Sequence, residues 1–334
     1  MYSWGNGSYS ALGFGSIEDV RQPKILDIEQ GGIRLNIVKI VCGKMHSMCL
    51  SSKKKIFTWG TGLNGRLGHG NNEDVLVPTE IQMLSNLRVI NISAGESHSA
   101  AITQTKKLYM WGNGSYGRLG TGFDVTQARP VLVEDLSHKE MLKVSCGAFH
   151  TLVLSTEGYI WSFGQDKYGK LGLQSQESEM KVRNTPVKVV PFQVEQNKSG
   201  QKQLSSSNNL RFAQIVAGFN HSIALTRSGY IYTWGYNGYN LLGRKEQTTV
   251  PIQILTDLGG GPKTNYVAEV QQTQYQLYNL EDNIRNESVI STEVNDVQCG
   301  NLNTYVLTNG GEVYACGVNR YGQLGNSKNS RGEK

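Results

Sequence analysis

Apolar residues in this chain come in short bursts separated by turns rich in glycine, serine and asparagine, a pattern of short strands and tight connections. One burst recurs five times: VCGKMHSMCL from Val41, SAGESHSAAI from Ser93, SCGAFHTLVL from Ser145, VAGFNHSIAL from Val216 and QCGNLNTYVL from Gln298. Each copy is a small residue, a glycine, two variable residues, a histidine (asparagine in the last) and then about five alternating or continuously apolar positions. That stretch predicts a buried strand. A turn such as Thr156-Glu157-Gly158 follows, and then an aromatic-rich segment that predicts the second arm of a hairpin.

The second segment recurs six times. It reads YSWGNGSYSALGFG from Tyr2, FTWGTGLNGRLGHG from Phe57, YMWGNGSYGRLGTG from Tyr109, WSFGQDKYGKLGLQ from Trp161, YTWGYNGYNLLGRK from Tyr232 and YACGVNRYGQLGNS from Tyr314. Its first common glycine falls at Gly5, Gly60, Gly112, Gly164, Gly235 and Gly317, so the spacings are 55, 52, 52, 71 and 82. A period of this size means stacked or radially arranged units. The recurring Leu12, Leu67, Leu119, Leu171, Leu242 and Leu324 read as core plugs. A proline-led extended run follows in five copies, at Pro23, Pro78, Pro130, Pro186 and Pro251, and reads as an edge strand. Four short strands per unit predict an all-β chain in a single domain over residues 1–334, each unit having the make-up of a β-propeller blade. By this count the first unit lacks two strands and the last lacks one, so an incomplete or partner-completed ring is expected. The two long spacings place insertions at about 174–209 and 257–293. The polar part of the first reads as a flexible loop, and Tyr275 to Leu280 in the second reads as an added hairpin strand.

Together the Gly-x-x-His-Ser and Trp-Gly-x-Asn-x-x-Gly-x-Leu-Gly signatures resemble the repeats of the regulator of chromosome condensation family, over almost the whole chain. The resemblance implies a β-propeller, here of about six to seven four-stranded blades and seven-bladed in the founding members. It implies three classes of function: an interaction scaffold within a larger assembly, a guanine-nucleotide exchange factor for a Ran-like small GTPase, or a chromatin-binding module. No segment matches the β-wedge of the founding exchange factor, and no basic tail precedes the first repeat. The scaffold is the reading favoured here.

Chemistry-bearing residues are weighed against their repeat copies. His46, His98, His150 and His221 share one position with Asn303, which suits a structural hydrogen bond to a neighbouring backbone group rather than a catalytic centre. Gly43, Gly95, Gly147, Gly218 and Gly300, and Trp4, Trp59, Trp111 and Trp234, are likewise structural repeat positions. Cys42 with His46 and Cys146 with His150 have metal-like spacing but lie in separate units, so no metal is expected. The stretches from Gly60 and Gly112 fit a dinucleotide fingerprint without the helix that it needs, so no cofactor is expected. No nucleophile or general base stands out, and an enzyme is not expected. Arg66, Arg118 and Lys170 precede the plug leucine in three consecutive units, as solvated charges or as a basic arc for an acidic partner. The insertions add Lys198, Lys202, Tyr275 and Tyr278 as candidate partner-binding residues. The net charge of +6 is modest for 334 residues and argues against nucleic acid, and no apolar run is long enough to span a membrane. Five cysteines without paired spacing, and a repeat at the very start, favour an intracellular compartment, with cytoplasm, nucleus and cilium not separated.

Overall fold

The computed structural model describes residues 1–174, 181–196, 202–206, 209–243, 248–253, 278–279 and 294–325. Among them the regular elements are strands and single 3-10 turns. Three sheets are four-stranded antiparallel meanders: Ile37–Cys42, His46–Ser51, Ile56–Gly60 and Val75–Glu80; Val89–Ala94, His98–Thr103, Leu108–Gly112 and Gln127–Leu132; and Met141–Cys146, His150–Ser155, Ile160–Gln165 and Val182–Lys188. A fourth meander, Phe212–Ala217, His221–Thr226, Ile231–Gly235 and Thr248–Gln253, continues outward into a sheet of six. The last sheet holds Val294–Cys299, Asn303–Thr308 and Val313–Gly317, with Tyr278–Asn279 in the fourth place. The first repeat contributes a two-stranded sheet, Tyr2–Gly5 with Val20–Ile25.

The chain divides into two compact units, one made of Met1–Glu157, Trp161–Gln165 and Val182–Val187, the other of the remaining described residues. In the first unit the core lies between consecutive sheets. Met48, Leu50 and Ile56 of one sheet pack with Val89, Ile92, Ala101 and Trp111 of the next. Ala100, Ile102, Leu108 and Met110 then pack with Val144, Cys146, Val153 and Phe163. In the second unit Val216, Ile223, Leu225 and Ile231 pack with Val294, Val297 and Val306. Every residue of His46–Ser51, His98–Thr103, His150–Ser155 and His221–Thr226 is buried. Covered on both faces, these second strands need apolar or small residues throughout, which is why their sequences run apolar instead of alternating strictly.

In four of the repeats the proline of the outer strand has a geometric role. Thr58 pairs Thr79 but Gly60 pairs Val75, so residues 76–78, ending in Pro78, bulge opposite Trp59. The same slip frames Pro23 between Ser3↔Lys24 and Gly5↔Val20, Pro130 between Met110↔Val131 and Gly112↔Gln127, and Pro251 between Thr233↔Ile252 and Gly235↔Thr248. A bulge is where a missing N–H leaves no ladder bond unmade.

The first insertion differs from the expected loop. Phe192–Gln196 and Lys202–Ser206 form an antiparallel hairpin, registered Val194↔Leu204, that joins the fourth strand in parallel at Phe192↔Ile252. The alternation of Phe192-Gln193-Val194 suits the first strand of this hairpin. Within the second insertion Tyr278–Asn279 pairs Ala315 and Tyr314, the outer-strand position of the last sheet. Lys198 and Tyr275 lie outside the described residues.

Candidate interaction face

The loop between third and fourth strands recurs with an unusual local geometry among the described residues. In the second repeat Gly65 N–H donates to the Gly62 carbonyl at 2.8 Å, and Gly68 N–H donates to the Gly65 carbonyl at 3.0 Å. The loop turns through two successive left-handed residues, Asn64 (φ 60°) and Gly65 (φ 68°). At the Asn64 position four other repeats carry a left-handed tyrosine, Tyr9 (φ 64°), Tyr116 (φ 62°), Tyr168 (φ 66°) and Tyr239 (φ 64°), and the last copy carries Tyr321, whose φ is not positive. A bulky aromatic in this region is a conformational outlier. Tyr9, Tyr239 and Tyr321 face solvent, 52%, 51% and 90% exposed, while Tyr116 is 37% exposed and Tyr168 half-buried. Two have aromatic neighbours: Tyr116 meets Phe149 edge-on at 6.0 Å between centroids, and Tyr168 meets Tyr236 at 4.8 Å.

Beneath these apexes a buried polar network ties consecutive sheets within each unit. His98 Nε2 lies 2.9 Å from Thr151 Oγ1, and Thr151 donates its own hydrogen to the Arg118 carbonyl at 2.8 Å. The histidine is therefore the donor and is fixed as the Nε2–H tautomer. His46 with Ser99, which donates to the Arg66 carbonyl, repeats the arrangement at 2.9 and 2.8 Å. In the second unit Thr304 stands 3.3 Å from His221 Nε2 and donates to the Leu241 carbonyl. The carbonyl takes a second bond from the tryptophan: Trp59 Nε1 to Ala11, Trp111 to Arg66 and Trp234 to Lys170, each at 2.9 Å. Burial pushes the imidazole pKa down, to about 3 for His46 and about 4 for His221, with His98 well below its ordinary value. The nearby Arg66 and Arg118 charges add to the effect at His46 and His98.

The model of the RCC1-like domain matches residues 1–334. The chain belongs to the RCC1-like domain family. Among similar proteins, E3 ubiquitin-protein ligase HERC2 of Homo sapiens is 31% identical over 327 residues, 97% of this chain and 6% of that protein. The ultraviolet-B receptor UVR8 of Arabidopsis thaliana is 33% identical over 243 residues, 73% of this chain and 50% of that protein. The chain thus spans half or less of these relatives. Among solved structures, human WBSCR16 has a TM-score of 0.55 at 20% identity, covering 97% of this chain and 89% of that one. Prp20p of Saccharomyces cerevisiae, described with its binding to Gsp1p and histones, has 0.54 at 18%, covering 98% and 82%. These likenesses establish the fold as a β-propeller.

Within this RCC1-like domain the expected basic arc is corrected. Arg66, Arg118 and Lys170 are 4%, 3% and 0% exposed. Arg118 Nη1 donates to the Ala148 carbonyl and to Ser97 Oγ at 3.0 and 2.9 Å, and its guanidinium lies over the Tyr116 and Phe149 rings at 5.7 and 5.0 Å. Burial lowers its pKa to about 10. Arg66 Nη1 reaches the Glu96 carbonyl at 3.3 Å, and Lys170 Nζ reaches Asn220 Oδ1 at 2.6 Å. Each cation staples its loop to the Gly-x-x-His loop of the following sheet. The histidine partner is also corrected, from a backbone group to a hydroxyl of the next sheet; Asn303 instead donates to the Val318 carbonyl. Trp59, Trp111 and Trp234 are buried, whereas Trp4 is 57% exposed. Lys202 and Tyr278 sit in the strands named above. Among the described residues no group of three or more His, Cys, Asp or Glu is placed to hold a metal, and no helix is long and apolar enough to cross a membrane. The sequence reading missed the tyrosines, although the Asn-x-x-Gly alignment carries them in five of six copies.

Proposed function

We propose that this RCC1-like propeller is a non-catalytic protein-interaction module that docks partners through the tyrosine-bearing loops. The observation that carries the reading is the repeated, solvent-facing tyrosine in left-handed backbone, a costly conformation retained where asparagine serves in one copy. Tyrosine offers a large, rigid, amphipathic contact with little entropy to lose, which makes it a frequent hot spot. In the first unit the apexes are flanked by exposed Ile17, Phe123 and Val125 and by exposed Glu18, Glu73 and Asp124. Asp19 and Asp74 are occupied in the loops, accepting from the Gly7 and Gly62 amides at 2.9 Å. The chemistry fits a partner surface that is basic and partly apolar, the reverse of the acidic partner that a basic arc favours.

The test is quantitative partner capture with the wild type and a Tyr9→Ser, Tyr116→Ser pair. The expected result is loss of specific partners while the melting temperature holds or rises. An unchanged partner set overturns the reading. Membership of the RCC1-like domain family keeps nucleotide exchange as the second reading, and release of fluorescent GDP from a Ran-like GTPase decides it: acceleration by this chain makes exchange the function. Binding to nucleosomes that falls steeply with salt supports the chromatin alternative instead.

A further inference from the structure

The two ends of the strands in the first unit carry opposite charge. In each sheet the second strand runs from the Gly-x-x-His loop to a tight turn, and the third strand runs back to the tyrosine loop. Turn and tyrosine loop therefore lie at opposite ends of strands such as Ile56–Gly60. At the turn end four cations form a continuous strip. Val89 N–H donates to the Lys54 carbonyl at 3.0 Å, which sets Arg88 beside Lys54. Gln104 N–H donates to the Arg88 carbonyl at 2.8 Å, which sets the turn of Lys106 beside Arg88. Lys53 and Arg88 are exposed, and Lys54 and Lys106 are half-buried. Lys55 and Lys107, next in the two turns, are engaged by Glu80 and by the Ser137 carbonyl. Among the described residues no carboxylate pairs with Lys53, Lys54, Arg88 or Lys106. Ile81 N–H donates to the Ile56 carbonyl at 3.0 Å, which brings Met83, 54% exposed, to the same end.

The backbone beneath this strip is held at a cost. Lys54, Arg88 and Lys106 are left-handed, with φ 68°, 49° and 63°. At the place of Lys54 and Lys106 the later sheets have Gly158, Gly229 and Gly311, with φ 89°, 83° and 87°. Two consecutive sheets thus keep a lysine where glycine meets no steric penalty, as the opposite end keeps tyrosine. That opposite end is acidic. Glu18, Glu73 and Asp124 are exposed there beside Ile17, Phe123 and Val125, and Lys44 of the Gly-x-x-His loop is paired with Glu96 at 2.5 Å.

We propose that the tyrosine end of the first unit takes as its partner the lysine turns of a second copy of this chain. The inference rests on the docking reading of the tyrosine loops and names their partner: the basic, partly apolar surface that they call for is present on the molecule itself. The two patches lie at opposite ends of the same strands, so one copy cannot bring its own together, and the contact is intermolecular. It is also heterologous. A copy that uses its tyrosine end leaves its lysine turns free for a third, and association runs on past the dimer. The opposite charges set encounter and orientation, and the tyrosines with Met83 supply the desolvated area.

The experiment is sedimentation velocity of the full chain over a range of concentrations. The expected result is a weight-average mass that climbs past the dimer in about 0.05 M salt, with association about tenfold weaker in about 0.5 M salt. Lys53→Glu, Lys54→Gly and Lys106→Gly together remove the basic end and leave the turns unstrained. Glu18→Lys with Glu73→Lys reverses the acidic end and leaves in place Asp19 and Asp74, which bind the loop amides. Each set alone should weaken association at least about tenfold, and so should Tyr9→Ser with Tyr116→Ser. An equimolar mixture of the two charge variants should form a dimer and nothing larger, because one keeps its acidic end and the other its basic end. A wild-type mass that stays at one chain up to about 1 mM overturns the proposal. If the tyrosine loops of that monomer still capture another partner, their docking role stands and the self-docking alone falls. A dimer that never grows, or one that both sets of charge substitutions leave intact, overturns the proposal as well.

Discussion

Gly95 is fixed by steric contact alone. A Cβ there would stand 2.4 Å from the Gly147 carbonyl oxygen and 2.6 Å from His98 Cε1, inside any tolerated separation. Gly43 and Gly218 are held in the same way, 2.3 Å from the Cε1 of His46 and of His221. The glycine and the histidine three residues on are thus one unit: the ring lies where a side chain would go, and from there it reaches the hydroxyl of the next sheet. Gly300 is the natural control, because its repeat carries Asn303, and the nearest atom to a Cβ at Gly300 is Asn303 Oδ1 at an ordinary 3.7 Å. Gly95→Ala is expected to cost about 2–3 kcal/mol, the usual penalty of overpacking. Gly300→Ala is expected to be neutral or to stabilise by up to about 1 kcal/mol, through the loss of backbone freedom in the unfolded chain. Urea midpoints for the two variants check this, and equal destabilisation would remove the ring contact as the cause.

At the scale of the element, the loop between third and fourth strands combines a strained apex with a buried staple. Tyr239 has φ 64° and is 51% exposed, so Tyr239→Asn is expected to raise stability by about 1 kcal/mol, the cost of a left-handed residue with a bulky side chain, while weakening partner capture. Tyr116→Asn should gain less, because it gives up the edge contact with Phe149. Thermal melts that show no gain for Tyr239→Asn would mean that the turn is not strained. Arg118→Met should cost about 2–4 kcal/mol, because the Ala148 carbonyl and Ser97 Oγ lose their buried donor. Arg118→Lys should recover little of that, since one ammonium does not reproduce the planar fork that spans Ser115, Ser97 and Ala148. These residues also mark how far the sequence could be read. The strands, the hairpin order and the edge prolines were legible because periodicity and turn chemistry are local. The histidines were legible as structural because a repeated residue cannot serve one centre. Arg66, Arg118 and Lys170 misled because burial of a cation depends on carbonyls supplied by the next sheet, some 30 to 50 residues away. The tyrosines were passed over because their left-handed backbone is a property of the loop and leaves no compositional trace.

Across the whole molecule the buried histidines predict acid sensitivity. His46, His98 and His221 are held neutral in the fold by burial, with pKa values of about 3 for His46, well below normal for His98 and about 4 for His221. In the unfolded chain each titrates near about 6.5. Above that value neither state binds a proton and the histidines are indifferent to pH. As pH falls below it, the unfolded chain takes up protons that the fold refuses, so stability is lost steadily until the folded values are reached. At pH 5 His46 and His221 each cost about 2 kcal/mol, about 4 kcal/mol together, and His98 adds to this in the same direction, a large part of the whole stability of an ordinary domain of about 5–15 kcal/mol. Melting temperature is therefore expected to be flat from about pH 8 to pH 7 and to fall steeply between pH 6 and pH 4.5. Asparagine stands at this position in the last sheet, so His98→Asn tests the origin of the slope: it should lower stability at neutral pH, where the bond to Thr151 is lost, and make the acid slope shallower. If the variant keeps the full slope, the protons are taken up elsewhere, and the histidine spokes hold the sheets together without setting the pH at which they separate.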